Sequence, residues 1–165
     1  MFDDRANSLT KKELHFYPVK RTILMKRVLE SGSCEETLKI AGKIGSMASR
    51  GDIITLSGEL GAGKTVFAKG IAAGLGIDES ITSPTFSLME VHEGTTPLYH
   101  FDLYRLETAS ELDELFFEEY WEGDGVSVIE WPERAAGRLP HRVISVTIEY
   151  TGPDSRRITI ENPDD

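Results

Sequence analysis

Cysteine is nearly absent. Cys34 stands alone in 165 residues, so no intrachain disulfide can form, which suits a reducing compartment and predicts a cytoplasmic protein. Long apolar runs are missing too. No stretch is long enough to cross a membrane and none reads as a secretory signal, so no membrane role is expected. Positive charge is scarce, with 18 basic residues against 28 acidic ones and a formal net charge of -10. A protein that grips nucleic acid unaided shows a basic patch, so any role in an RNA pathway is expected to run through a protein partner. Histidine is sparse as well: His15, His92, His100 and His141 make no metal-binding spacing with Cys34.

The length suits one domain with a core of its own. Residues 1–24 are mixed and polar without periodicity and read as an appendage, since Met25 begins a better-patterned chain. Residues 25–162 are expected to form a single domain, and 163–165 a tail. A short strand in "RVLES" precedes a helix whose start is marked by the S-x-x-E capping box of Ser33 and Glu36, with Leu38, Ala41 and Ile44 on one face. "DIITLSG" has the unbroken apolar character of a buried strand. Phe67, Ile71 and Leu75 then recur at helical spacing until "GLG" ends that helix. "TPLYHFDLYRL" reads as a strand, "ASELDELFFEEYW" as one acidic amphipathic helix and "GVSVIEW" as another apolar strand. "HRVISVTIEY" and "RRITIEN" close the chain as a hairpin across "TGPDS". The alternation predicts an α/β three-layer sandwich with a mostly parallel central sheet and antiparallel strands at the C-terminus. Strand order cannot be read from the sequence.

Between "DIITLS" and the second helix lies "GELGAGKT", residues 58–65. Gly58, Gly63, Lys64 and Thr65 meet the pattern G-x-x-x-x-G-K-[ST] in full. Glycines let backbone N–H groups converge on phosphate oxygens, and the helix that follows aims its positive end at the same anion. In this pattern Lys64 reaches the β- and γ-phosphates, and Thr65 offers its hydroxyl to Mg²⁺. A chance glycine-rich turn would lack the preceding strand and following helix that are both present here, so the sandwich is expected to be P-loop NTPase-like. Only two asparagines occur, Asn7 and Asn162, and neither precedes a lysine. The guanine-reading Asn-Lys-x-Asp segment is therefore missing, and ATP is the expected nucleotide.

A P-loop enzyme also needs a carboxylate near the metal, at the end of a neighbouring apolar strand. Glu130 closes "VSVIE" and Asp102 closes "YHFD", at the strand ends where ligands of open α/β sheets sit. A lone acid there is commonly an ordinary exposed residue, but two in one P-loop chain make a better case. In "SITSPTFSL", Thr82, Ser83 and Thr85 present hydroxyls, and the pattern fits a γ-phosphate-sensing switch and a plain polar loop alike. Trp131 could stack on a base or a partner, or simply pack. His100, beside Phe101 on a strand, reads as a structural histidine. "ERAAGRLPHR", with Arg134, Arg138 and Arg142, would be the arginine-rich lid if the chain were a small-molecule kinase. A non-catalytic ATP-dependent regulator is a further alternative.

"GELGAGKT", "TSPTFSL", "YHFDLYRL" and "VIEWPE", in that order in so short a chain, resemble the TsaE family (also called YjeE). These are bacterial P-loop ATPases needed to make threonylcarbamoyladenosine in tRNA. The resemblance runs from about Met25 to the closing hairpin. It implies that Gly58, Glu59, Leu60, Gly61, Ala62, Gly63, Lys64 and Thr65 form the nucleotide-binding loop, with Thr65 a Mg²⁺ ligand. Glu130 is implied as the Walker B-like carboxylate, bound to Mg²⁺ or orienting the attacking water. Asp102 matches a residue needed for activity through the metal shell, and Ser83 and Thr85 fall in the switch-like segment. Trp131 matches an aromatic close to the nucleotide, and Arg156 falls near a nucleotide-contacting arginine. The resemblance further implies partners. TsaB and TsaD form the pair that carries out transfer to the adenosine next to the anticodon. TsaC supplies the threonylcarbamoyl-adenylate, and the ATPase itself is slow alone and partner-stimulated. Strong direct tRNA binding by this chain alone is not expected.

Overall fold

The computed structural model describes residues 26–84 and 86–162. The expected appendage at 1–24, the tail at 163–165 and Thr85 lie outside the described residues. Strand β1 (Lys26–Ser31) leads into helix α1 (Cys34–Met47), then β2 (Ile53–Ser57), α2 (Lys64–Gly74), β3 (Met89–His92) and β4 (Leu98–Asp102). Two short helices follow, α3 (Ser110–Leu115) and α4 (Glu118–Trp121). Strand β5 (Val126–Glu130), a 3-10 turn at Pro132–Ala135, β6 (Ile144–Tyr150) and β7 (Arg156–Glu161) complete the order.

The seven strands make one sheet in the order β1-β7-β6-β2-β5-β4-β3. Its four central strands, β6, β2, β5 and β4, run parallel, as the βα alternation predicted. Both edges turn antiparallel. The C-terminal edge does so through β7 and β1, and the other edge through β3 against β4. Strand β3 was not expected. Four residues long and at an edge, "MEVH" has too little apolar content to stand out from the loop before it.

Burial follows the layers. All of β5 is buried, as are the first four residues of β2, because parallel strands covered on both faces read as unbroken apolar runs. In β6 and β7 burial alternates, and Val146, Ile148, Ile158 and Ile160 join the core under α1 and α2. The Ser33 Oγ accepts from the Glu36 N–H at 3.1 Å, as the capping box requires. The returning Glu36 carboxylate takes the Gly32 N–H instead of the cap residue's own. Helices α1 and α2 lie backbone to backbone. A Cβ placed on Gly45 would stand 2.2 Å from the Ile71 carbonyl oxygen, and one on Gly74 would stand 2.1 Å from that of Gly42.

On the other face the expected single helix over "ASELDELFFEEYW" is broken. Phe116 adopts a left-handed conformation (φ 53°) between α3 and α4. Leu112, Phe117 and Trp121 are all buried, yet Leu112 and Phe117 would sit about 140° apart around one continuous helix. The break resets the phase. Phe117 and Trp121 can then pack on Phe101, at ring separations of 5.2 and 5.6 Å.

Candidate active site

The site lies where the central parallel strands end. From β2 the chain enters the glycine loop, whose first and last glycines have positive φ, 154° at Gly58 and 111° at Gly63. Gly58 is also held against β6, where a Cβ would stand 2.5 Å from the Ile148 carbonyl oxygen. Gly63 caps α2, and a Cβ there would meet no atom of the described residues within 4 Å. Glu59, Leu60 and Gly61 form the exposed crest of the loop, and Ala62 is buried beneath it. Arg156 supports the loop from β7. Its Nε donates to the Ala62 carbonyl at 2.8 Å, and the guanidinium lies over the Tyr150 ring at 4.2 Å. In this arrangement Arg156 grips the loop's backbone.

Lys64 curls back over its own loop. Its Nζ donates to the carbonyls of Gly58 at 2.7 Å and Glu59 at 2.8 Å, and it sits 4.0 Å from the centre of the Trp131 ring. Burial pushes the amine below the ordinary lysine value, while the nearby carboxylates of Glu130, Glu133 and Asp102 pull it back up. Trp131 reaches this place because it leaves β5 in a left-handed conformation (φ 58°). Its backbone N–H bonds to the Leu56 carbonyl at 3.2 Å, and its ring lies tilted against that of Tyr104, with centroids 4.9 Å apart.

The two strand-end acids stand side by side, since Asp102 of β4 and Glu130 of β5 are register partners in a parallel ladder. They differ in surroundings. Glu130 is buried, and the Thr65 hydroxyl donates to its two oxygens at 3.1 and 3.3 Å. Asp102 is half-buried. It accepts from the Tyr104 N–H at 3.0 Å and from the Ser83 hydroxyl, so the segment holding Ser83 is tied to this acid. The donor set suits Mg²⁺, which favours one or two carboxylate or hydroxyl oxygens completed by phosphates and water. Thr65 and Glu130 already touch, at 3.1 Å, beside the N-terminus of α2.

Three features of the site escape a reading of the sequence. His100 is fully buried, with Nε2 2.8 Å from the Glu130 Oε1. It lies two residues before Asp102, hence on the same face, which is the one signal that pointed to it. Tyr104 beside Trp131 follows from the chain turning immediately after β4. His92 bonds Glu79 at 2.8 Å and so ties β3 to the start of the Ser83 segment. The candidate lid arginines are engaged elsewhere: Arg134 donates to the Leu106 carbonyl at 3.3 Å, and Arg138 pairs with Asp113 at 3.1 Å.

A family model described as threonylcarbamoyl adenosine biosynthesis protein TsaE matches residues 31–158. The Bacillus subtilis protein named tRNA threonylcarbamoyladenosine biosynthesis protein TsaE is 45% identical over 126 residues, 76% of this chain and 78% of that one. A Treponema pallidum protein of the same name is 41% identical over 130 residues, covering 79% and 96%. The crystal structure of Bacillus subtilis YdiB superposes with a TM-score of 0.71 at 36% identity, covering 85% of this chain and 87% of that one. With a glycine loop, two adjoining strand-end acids and matches of this extent, the chain belongs to the TsaE family and has its P-loop fold.

Proposed function

We propose that this chain binds and hydrolyses ATP in support of threonylcarbamoyl transfer to tRNA adenosine, working with TsaB and TsaD. The observation that carries the reading is that α2 opens with Lys64 bonded to the glycine loop and Thr65 bonded to the strand-end acid Glu130. The loop from Gly58 to Thr65 holds the phosphates by backbone N–H groups, and Lys64 exchanges its two carbonyl partners for phosphate oxygens. Thr65 and Glu130 would hold Mg²⁺, which would neutralise the charge that builds on the phosphates. Glu130 keeps a fixed acceptor oxygen near the site and orients the attacking water. The water oxygen bonds to the γ-phosphorus as the bond to the β-phosphate oxygen breaks, leaving phosphate and ADP. Asp102, beside Glu130 and bonded to Ser83, links this acid pair to the switch-like segment that holds Ser83 and Thr85. Trp131 and Tyr104 offer ring faces at the rim.

The test is steady-state release of phosphate by the wild type, Glu130→Gln and Asp102→Asn, each alone and with TsaB–TsaD. Binding by calorimetry runs in parallel. Hydrolysis is expected to vanish in both variants while ATP binding survives in part, because most phosphate contacts are backbone N–H groups. Wild-type turnover in both variants would remove the acids from the reaction. No turnover by the wild type with the pair would leave a non-catalytic regulator. The kinase reading needs free lid arginines, and Arg134 and Arg138 are bound elsewhere. A phosphorylated metabolite in place of free phosphate would restore it.

A further inference from the structure

Among the described residues His100 has one hydrogen-bond partner, Glu130, with the His92 ring 6.4 Å away. The imidazole is fully buried on β4, with side-chain exposures of 0% for His100 and 3% for Glu130. Nε2 lies 2.8 Å from Oε1 of the carboxylate, and among the described residues Nδ1 has no hydrogen-bond partner. A carboxylate only accepts, so the proton in this contact belongs to Nε2. The ring thereby aims its Nε2–H at one oxygen of one acid.

The Thr65 hydroxyl is the other donor to Glu130, and it sits on α2, across the helix–sheet boundary. If Thr65 turns an oxygen lone pair to a metal, its position follows the ligand, whereas His100 is part of the sheet and does not move with it. His100 and Asp102 also share a face of β4, and Asp102 is the register partner of Glu130. One strand therefore sets both the place of the second acid and the aim of the first.

We propose that His100 is a positioning residue for Glu130. Its Nε2–H fixes Oε1 to the sheet and so holds the carboxylate where the Thr65 hydroxyl reaches both oxygens. The proposal rests on the role given above to Glu130.

The test compares His100→Gln, His100→Asn and His100→Leu with Glu130→Gln in the presence of TsaB–TsaD, reading kcat, KM, ADP affinity and the thermal midpoint. A glutamine amide nitrogen can take the place of Nε2. An asparagine nitrogen falls at the place of Nδ1 and cannot reach. His100→Asn and His100→Leu are expected to lose about 10- to 100-fold in kcat, the usual effect of removing an orienting partner. ADP affinity should hold in both, and His100→Gln should recover most of the rate. A leucine variant at wild-type kcat, or a glutamine variant as slow as leucine at equal fold stability, overturns the proposal. Wild-type activity in Glu130→Gln would instead overturn the underlying reading of Glu130. If the asparagine and leucine variants do not fold, the imidazole nitrogen spectrum of the ¹⁵N-labelled wild-type protein decides, with His100→Gln assigning the signal. A protonated Nε2 that shifts in Glu130→Gln supports the proposal, and a protonated Nδ1 with bare Nε2 overturns it.

Discussion

Lys64 holds its own loop shut from the inside. The ammonium bonds two carbonyls of the turn that precedes it and lies on an aromatic face, so it stabilises the loop before any phosphate arrives. Lys64→Ala is therefore expected to do two things. ATP affinity falls by at least about tenfold, because the one point charge directed at the β/γ-phosphates is gone. The free protein also loses about 1–2 kcal/mol, since charge-assisted bonds to the Gly58 and Glu59 carbonyls disappear. Calorimetry and urea unfolding read the two effects separately, and unchanged ATP affinity would remove the P-loop assignment. At this scale the sequence was informative wherever spacing carries chemistry. Lys64 and Thr65 follow from one motif, and Asp102 and Glu130 from strand ends. His100 did not follow, because its spacing to Asp102 marks a shared face of β4 but not the acid on the neighbouring strand that it meets. Thr85 stays an expectation.

Between elements, the close approach of α1 and α2 separates three glycines by sign. Gly45→Ala and Gly74→Ala would drive a methyl onto carbonyl oxygens of the facing helix, at 2.2 and 2.1 Å. Each is expected to cost about 1–3 kcal/mol or more, the range for overpacking, with backbone unable to yield as a side chain would. Gly42 sits on the same helix, but a Cβ there meets the Gly70 carbonyl at an ordinary 3.6 Å. Gly42→Ala should gain up to about 1 kcal/mol from helix propensity alone. Urea midpoints that fall for the first two and hold or rise for the third would confirm that approach distance, not glycine content, governs this face. Helices α1 and α2 were legible because their apolar residues repeat at 3.6-residue spacing. The break at Phe116 was not. Every residue from Ser110 to Trp121 except Phe116 is helical or compatible with a helix, and only packing of Phe117 and Trp121 on Phe101 selects the kink.

For the whole molecule, strand order was out of reach because it depends on contacts between residues far apart in the chain, such as β2 lying between β5 and β6. The parallel centre was accessible from the βα alternation, and the second antiparallel edge was not. Charge is the other property of the whole. An acidic protein of net charge -10 that works with TsaB–TsaD, as proposed, should meet a basic docking face and lose rate enhancement as salt rises. The site holds one lysine over the loop, and Arg156 is bonded to the Ala62 carbonyl. Arg105 is exposed just beyond β4, which has ended at Asp102, so strand alternation does not decide its direction. An arginine finger is worth about 10³ to 10⁵ in rate, which leaves room for large stimulation by a partner. Phosphate release is expected to be slow alone and faster with the pair at low salt, and the gain should shrink at high salt. Full-speed hydrolysis alone would refute completion by the partner.

The ammonium over Trp131 also makes the protein an optical reporter of its own occupancy. The chain has two tryptophans, and the other, Trp121, is buried beside Phe101 and Phe117. Its emission supplies a constant background. The Trp131 indole is bracketed by a cation at 4.0 Å and the Tyr104 ring at 4.9 Å, close enough for both to shape its excited state. Drawing Lys64 away onto a phosphate changes that surrounding without a dye or a label. Intensity or peak wavelength should shift on adding ATP, and the shift should be lost in Trp131→Phe and unaltered in Trp121→Phe. A stopped-flow trace of that signal would time the departure of the amine from the loop, a step that phosphate release alone does not reveal.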